Sequence, residues 1–337
     1  MNSAYTVSPL GGIFIFFFQS RFPSWRRGAI YGNVQHGAIP MNADIQRQLH
    51  EKTIRVAGPA GREIHAIEDR AALEIARRWG LDLHEIYKEA LKRFIHPYRY
   101  IRNLDIITPA EQLRLAESRV AVAGAGGLGG QVILLLARIG VGQLTVADHD
   151  RFEESNLNRQ ALCTLKTLRK SKARTAADAV ASINPGVRVV AHPVKIDAAN
   201  IDRVLAGAEV IVDALDNVPD RLVLQDAARR RGVPMVHGAL AGFEGRIMTV
   251  CPGDPGLAQL YDAAEPDEAE MERPEALLGV PAMTAALIAA LQAMEVLKIL
   301  LRRGRLFRQV MAHSDLENGR FEEFGFGGDR SVENRKT

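Results

Sequence analysis

The apolar positions of this chain keep two rhythms. Between residues 41 and 95 they recur at helical spacing. Ala71, Ile75, Ala76, Trp79, Leu83, Ile86, Ala90 and Phe94 form the apolar side of a mostly helical region, and Gly80 breaks it into separate helices. From residue 119 onward, short unbroken apolar runs alternate with helical stretches. Arg119–Ala123 and segments 144–147, 187–191, 209–212 and 234–237 read as strands. Segments 173–183, 198–205 and 222–231 read as the helices between them. That alternation predicts an α/β fold with a mostly parallel sheet and flanking helices. Residues 242–250 read as an edge strand, because apolar and polar positions alternate from Arg246 to Val250. Ala282–Leu301 is the strongest helix; it is apolar nearly all round and is expected to be buried near a subunit interface. Two short strands follow, near 309–312 and 320–323.

The ends differ from the middle. Five of the twelve phenylalanines fall before residue 23, and residues 1–40 contain three arginines and no acid. They read as a disordered extension or a mis-assigned start ahead of Met41, and residues 326–337 as a disordered tail. The other 297 residues hold 40 basic and 40 acidic side chains, so a nucleic-acid footprint is not expected. No unbroken apolar run reaches the roughly 18–20 residues of a membrane span, and no membrane partner is expected. The two cysteines, Cys163 and Cys251, argue for a reducing, cytoplasmic setting and read as buried structural residues.

The chemistry concentrates in residues 119–172. Gly124, Gly126 and Gly129 fit G-x-G-x-x-G between a strand and a helix. The first permits a tight turn, the second lets backbone approach a phosphate, and the third lets the helix pack close to the sheet. Asp148 follows 24 residues after Gly124, at the end of the next strand, where a carboxylate can accept from ribose hydroxyls. Ser155, Asn156, Asn158, Arg159 and Gln160 then cluster, and Lys172 comes 13 residues after Arg159. Arginine offers a bidentate fork and lysine a point charge, which together suit a triphosphate. Asp216 and Asn217 stand just after the strand at 209–212, over the ligand crevice, and Asp216 can hold Mg²⁺ against phosphates. Asp213 is expected to cap the following turn, and His149 and His237 to be structural. Glu265, Asp267, Glu268, Glu270, Glu272 and Glu275 form an acidic stretch within 252–282, read either as a solvated loop or as a segment over a substrate.

The ordered set RYIRN, GAGGLGG, DHDRFEESNLNRQ, KSK, DALDN and HGALAGFEGRI resembles the ThiF/MoeB/HesA family, the ubiquitin-activating-enzyme-like adenylyltransferases, across roughly residues 98–324. The resemblance implies a Rossmann-like ATP-binding adenylation domain over 98–325, continued by antiparallel strands and preceded by the helical region 41–97. It implies ATP-dependent activation of the C-terminal glycine of a small ubiquitin-like sulfur carrier ending in Gly-Gly, as acyl-AMP, with Mg²⁺. Molybdopterin and thiamine biosynthesis are the kinds of pathway implied.

Carried onto this sequence, Gly124, Gly126, Gly129, Asp148, Asn156 and Asn217 hold the nucleotide. Arg159, Lys172 and Asp216 act on its phosphates, and Arg102 reaches them from the other subunit of a homodimer. A separate sulfur donor, such as a cysteine desulfurase or rhodanese, would take over the activated carrier. Many relatives carry two CxxC pairs for zinc; this sequence has none, so no zinc is expected. A tRNA-modifying dehydratase of the same family, a nicotinamide-dependent oxidoreductase and a non-catalytic interaction module are the rival readings.

Overall fold

The structure, a computed structural model, describes residues 43–58, 61–261 and 278–326. The expectations for residues 1–40, the acidic stretch and the tail lie outside these residues.

The large sheet is made by short β-branched and alanine-rich runs that are buried on both faces in its inner strands, as parallel strands between helices must be, and partly exposed at its edge, residues 188–192. These are β4 (Arg119–Ala123), β5 (Gln143–Ala147), β6 (Arg188–His192), β7 (Val210–Asp213) and β8 (Met235–Ala241). They pair in parallel in the order β8-β7-β4-β5-β6. Three antiparallel strands continue the sheet beyond β8: β9 (Glu244–Val250), β10 (Val310–Asp315) and β11 (Arg320–Gly325). β9 is therefore an interior strand, not the expected edge. Its alternation reflects the surface outside β8, while β10 pairs with it from Glu244 to Ile247.

Connections cross both faces. α5 (Gly127–Ile139), α6 (Lys172–Ile183) and α9 (Ala282–Leu301) close one core with Val120, Val122, Leu144 and Val146. α7 (Ile201–Val204) and α8 (Val218–Arg231) close the other with Ala121, Ala123 and Ile211. After β6 the chain returns to the far side of β4, which creates a switch point and a crevice at the strands' carboxyl ends.

α9 has a mean hydropathy of 1.8 over a span-length window, so by composition it passes the test for a membrane helix that the sequence reading did not find in any segment. Here it packs on α5, β8 and β9, with Gln292 and Glu295 fully buried. Gln292 Nε2 donates to the Asp213 carbonyl at 2.8 Å, and Glu295 accepts from the Phe307 N–H at 2.9 Å.

Residues 43–97 depart from the helical expectation. α1 (Ala43–Glu51), α2 (Asp69–Trp79) and α3 (Leu83–Lys92) are present, with Gly80 in the left-handed region closing α2. Between α1 and α2, however, β1 (Ile54–Ala57) and β2 (Glu63–Ile67) form an antiparallel hairpin, and β2 pairs with the short β3 (His96–Pro97). Residues 54–57 alternate half-buried and exposed, a period of two that the surrounding helical pattern obscures. This unit docks beside α6: Arg99 donates to the Ile183 carbonyl at 2.7 Å, and His84 Nδ1 lies 3.1 Å from the Gly186 carbonyl. α4 (Pro109–Glu117) then leads into β4, its start set by a capping box between Thr108 and Glu111.

Candidate functional site: a nucleotide cleft at the switch point

A cleft of about 320 Å³ opens over the carboxyl ends of β4, β5 and β7. Its first wall is backbone. β4 is followed by Gly124, whose φ of 93° and closeness to Ala214 O (2.5 Å from where a Cβ would stand) admit only glycine. Gly129 lies behind the loop in the first turn of α5, where a Cβ would stand 1.9 Å from Gly124 O. It packs the helix against the loop and does not face the cleft. Gly126 and Gly127 do face it, and the start of α5 directs its free N–H groups and positive dipole end there.

Asp148 joins this wall to β5. Its Oδ2 accepts from Ala125 N at 2.7 Å, and its Oδ1 from Asp150 N at 2.8 Å. Each oxygen keeps a second lone pair for a ligand hydroxyl. The following loop is anchored by the fully buried Phe152. Arg159 is steadied by Nη1 donating to Ser155 O at 2.8 Å and Asn158 Oδ1 at 2.9 Å. Lys172 opens α6 and is buried, with Nζ 3.0 Å from Asp150 Oδ2. Gln160 is buried on the cleft wall, and its Oε1 has no hydrogen-bond partner among the described residues.

The opposite wall is made of side chains. Asp213, fully buried at the end of β7, accepts from Leu215 N at 3.1 Å. Arg221 donates to the Leu215 carbonyl through Nη2 at 2.6 Å and Nε at 3.2 Å. Leu215, the residue preceding Asp216, is thus held at both its N–H and its C=O. Asp213 Oδ2 also lies 2.7 Å from His237 Nδ1 on β8. Burial lowers the pKa of His237, which keeps the ring neutral with its proton on Nδ1, facing the carboxylate. Tyr261 completes the cluster: its hydroxyl accepts from Arg221 Nη1 at 2.7 Å and faces His237 Nε2 at 3.4 Å. Asp213 is therefore the hub of a buried network and not a helix cap; Asn217 is the cap of α8, with Oδ1 accepting from Asp220 N at 2.9 Å.

Of the residues singled out in the sequence, Gly124, Gly126, Asp148, Arg159, Lys172, Asp216 and Asn217 all line the cleft. Three do not. Gly129 works from behind. Asn156 is buried and braces its own loop, with Oδ1 accepting from Glu153 N at 3.1 Å, so its side chain serves the loop that carries Arg159. Arg102 is exposed on the 3₁₀ turn Tyr98–Asn103 and does not line the cleft of its own chain. Gln160 belongs to the polar cluster 155–160 of the sequence and lines the cleft, whereas Asp150 and Arg221 are not among the candidates that the sequence offers. Neither cysteine lines the cleft, and burial raises the pKa of both thiols.

The residues present fit a nucleoside triphosphate. There is a glycine cradle at a helix start, an arginine and a buried lysine for phosphates, and an orphaned acceptor on Gln160. Asp216 is a hard oxygen donor suited to a divalent cation beside phosphates. Fold and site define a doubly wound nucleotide-binding protein equipped for phosphate chemistry.

The chain belongs to the ThiF family, whose sequence profile matches residues 98–332. It is 41% identical over 209 residues to the SAMP-activating enzyme E1 of Haloferax volcanii, a match covering 61% of this chain and 76% of that one. It is 37% identical over 215 residues to a sulfur carrier protein adenylyltransferase of Thermus thermophilus, covering 61% and 79% of the two chains. Among solved structures, E. coli MccB with ATP superposes with a TM-score of 0.59 at 18% identity, covering 69% of this chain and 72% of that one. That last likeness concerns the fold.

Proposed function

We propose that the protein is an ATP-dependent adenylyltransferase that activates the C-terminal glycine carboxylate of a small ubiquitin-like sulfur-carrier protein. The observation that carries the reading is the convergence of Arg159, Lys172 and Asp216 on one glycine-lined cleft in a ThiF-family chain. A nicotinamide oxidoreductase has no use for that charged set.

In this reading a carrier carboxylate oxygen attacks the α-phosphorus of ATP. A P–O bond forms, the bond to the β,γ-phosphates breaks, and the products are acyl-AMP and pyrophosphate. The carboxylate is already ionised at neutral pH, so the protein has little proton transfer to perform. Its work is positioning and charge neutralisation in a preorganised cleft. The glycine loop and Asp148 hold the nucleotide. Arg159 and Lys172 meet the negative charge that develops on the leaving pyrophosphate. Asp216 would hold Mg²⁺, which supplies further charge neutralisation when bound.

Arg102 lies outside its own cleft, which suits delivery from the second subunit of a homodimer. With no cysteine in the cleft, sulfur would come from a separate donor acting on the released acyl-AMP. Dependence on ATP and on reduced sulfur suits the cytoplasm.

The test is ATP–pyrophosphate exchange with small carrier proteins ending in Gly-Gly. Carrier-dependent exchange, abolished in Asp216→Ala while that variant keeps its thermal unfolding profile, is the expected result. Tight ATP binding with no exchange for any carrier would overturn the acceptor, and RNA would be tried next. NAD binding without ATP binding would overturn the reaction class.

A further inference from the structure

Asn217, Asp220 and Lys195 form a connected polar chain that ends on Asp216 and lines the same cleft. We propose that Asp220 and Lys195 are positioning residues that orient the Asp216 carboxylate through the Asn217 amide. The proposal rests on the adenylation reading, in which Asp216 meets the cation and the phosphates.

The amide of Asn217 has a defined orientation. Its Oδ1 accepts the Asp220 N–H at 2.9 Å, so Nδ2 must be the end facing the carboxylates. Nδ2 donates to Asp220 Oδ2 at 2.9 Å and to Asp216 Oδ1 at 3.2 Å. Both amide hydrogens are thereby used, one on each acid. Asp220 acts as the fixed end: it holds the amide against rotation, and the amide in turn sets the direction of Asp216. Two carboxylates around one neutral amide repel each other, and Lys195 offsets this with Nζ 3.6 Å from Asp220 Oδ1. Lys195 comes from the loop after β6, whereas Asp216 comes from the β7–α8 connection and Asp220 from the first turn of α8. The chain therefore ties the two lips of the cleft together.

Helix capping does not explain this arrangement. The cap requires only Asn217 Oδ1 and the backbone N–H of Asp220. An acid in the first turn favours the helix dipole, but that interaction needs neither the Asn217 Nδ2 contact nor a lysine from the opposite lip. Stability does not explain it either. The Lys195 side chain is 62% exposed, and ion pairs of that kind contribute little to folding. What these side chains do is bear on the direction of the Asp216 carboxylate through the Asn217 amide. Groups that orient a metal-binding carboxylate affect the metal-dependent step more than the fold.

The experiment compares wild type with Asp220→Ala, Asp220→Asn and Lys195→Met in the full chain. It reads the Mg²⁺ concentration for half-maximal exchange, the separate kcat and KM for ATP, the Mg²⁺-dependent ATP affinity by calorimetry, and the melting temperature. Asp220→Ala is expected to raise the half-saturating Mg²⁺ and lower kcat by about tenfold each, with a smaller change in KM. Asp220→Asn keeps an oxygen that accepts from Asn217 and should recover most of both. Lys195→Met should fall between them.

An Asp220→Ala protein with unchanged Mg²⁺ half-saturation and kcat would overturn the proposal. So would equal losses in Asp220→Ala and Asp220→Asn that track an equal fall in melting temperature, since that is the signature of a helix effect alone. If wild type shows no exchange with any carrier, the adenylation reading fails and calorimetry alone judges the relay. Weakened Mg²⁺-dependent ATP binding in Asp220→Ala would then support it, and unchanged binding would overturn it.

Discussion

The two walls of the cleft are built on opposite principles. The β4–α5 wall is backbone brought close by absent side chains: Gly124 clears Ala214, and Gly129 clears Gly124. The β7–α8 wall is the reverse, a set of side chains that hold backbone in place. Asp213, Arg221, His237 and Tyr261 come from four separate stretches of chain and meet behind Leu215, the residue that precedes Asp216. The first wall can be read locally because its spacing is the structure. The second exists only once β8 lies beside β7. One wall therefore tolerates no added atom at Gly124 or Gly129, while the other tolerates no lost partner.

The most damaging change to this contrast adds a methyl to the backbone wall. In Gly129→Ala the new Cβ would stand 1.9 Å from Gly124 O, a backbone atom that cannot swing away. The expected result is loss of ATP binding by calorimetry and about 1–3 kcal/mol of stability in urea unfolding, as for overpacked cores. Retained ATP binding would show that the loop has more room than the glycine spacing implies.

A change to the side-chain wall should act more narrowly. Asp213→Asn sets an amide against two donors, Leu215 N and His237 Nδ1, and at least one of the two loses a proper acceptor. A loss of about 1–3 kcal/mol is expected from the unsatisfied buried group. Exchange should fall more than ATP affinity, because the displaced peptide carries Asp216 and not the glycine loop. Equal losses in both would place the two walls in one cooperative unit.

The smallest effect is a control outside the cleft. Burial, aided by Arg188 and Lys88, lowers the pKa of His84 to about 4. Its folded value thus lies below its ordinary value of 6.5, so the neutral ring contributes its full stability above that pH and loses it as pH falls toward about 4. His237 is shifted in the same direction. In urea unfolding between pH 6.5 and 4, His84→Gln should lose less stability than wild type. ATP affinity at neutral pH should be unchanged. A parallel fall in both proteins would assign the acid limb to other groups.

The parts of the molecule that could be read ahead are those whose signal is local. β4 and the helix Ala282–Leu301 have the bounds their patterns predict. Asp148 follows a strand end and Lys172 opens a helix, while Arg159 and Asp216 are carried by the loops that leave the same sheet edge, and all four line the cleft. The misreadings share a different cause. The hairpin of residues 54–67 is a short period-two signal beside longer helices, and its pairing partner is decided across a turn. β9 has the alternation of an edge strand, but whether a further strand covers it depends on residues 310–315, some 60 positions later. Asp213 reads as a cap because a helix opens five residues after it, whereas its partners lie on β8 and α9. Asn156 belongs to a motif rich in polar residues, and only the folded loop distinguishes the member that braces from the member that faces the ligand.

By itself the sequence determined the α/β class, the glycine turn and the identity of the charged groups that line the cleft. Periodicity and glycine spacing act over a few residues, and backbone geometry translates them directly. Tertiary structure alone decided which carboxylate is buried and which faces the cleft, where the histidine keeps its proton, and how Lys195 comes to stand against Asp220. Those outcomes depend on burial and on distances between strands that are remote in the chain, and electrostatic interactions follow distance in space.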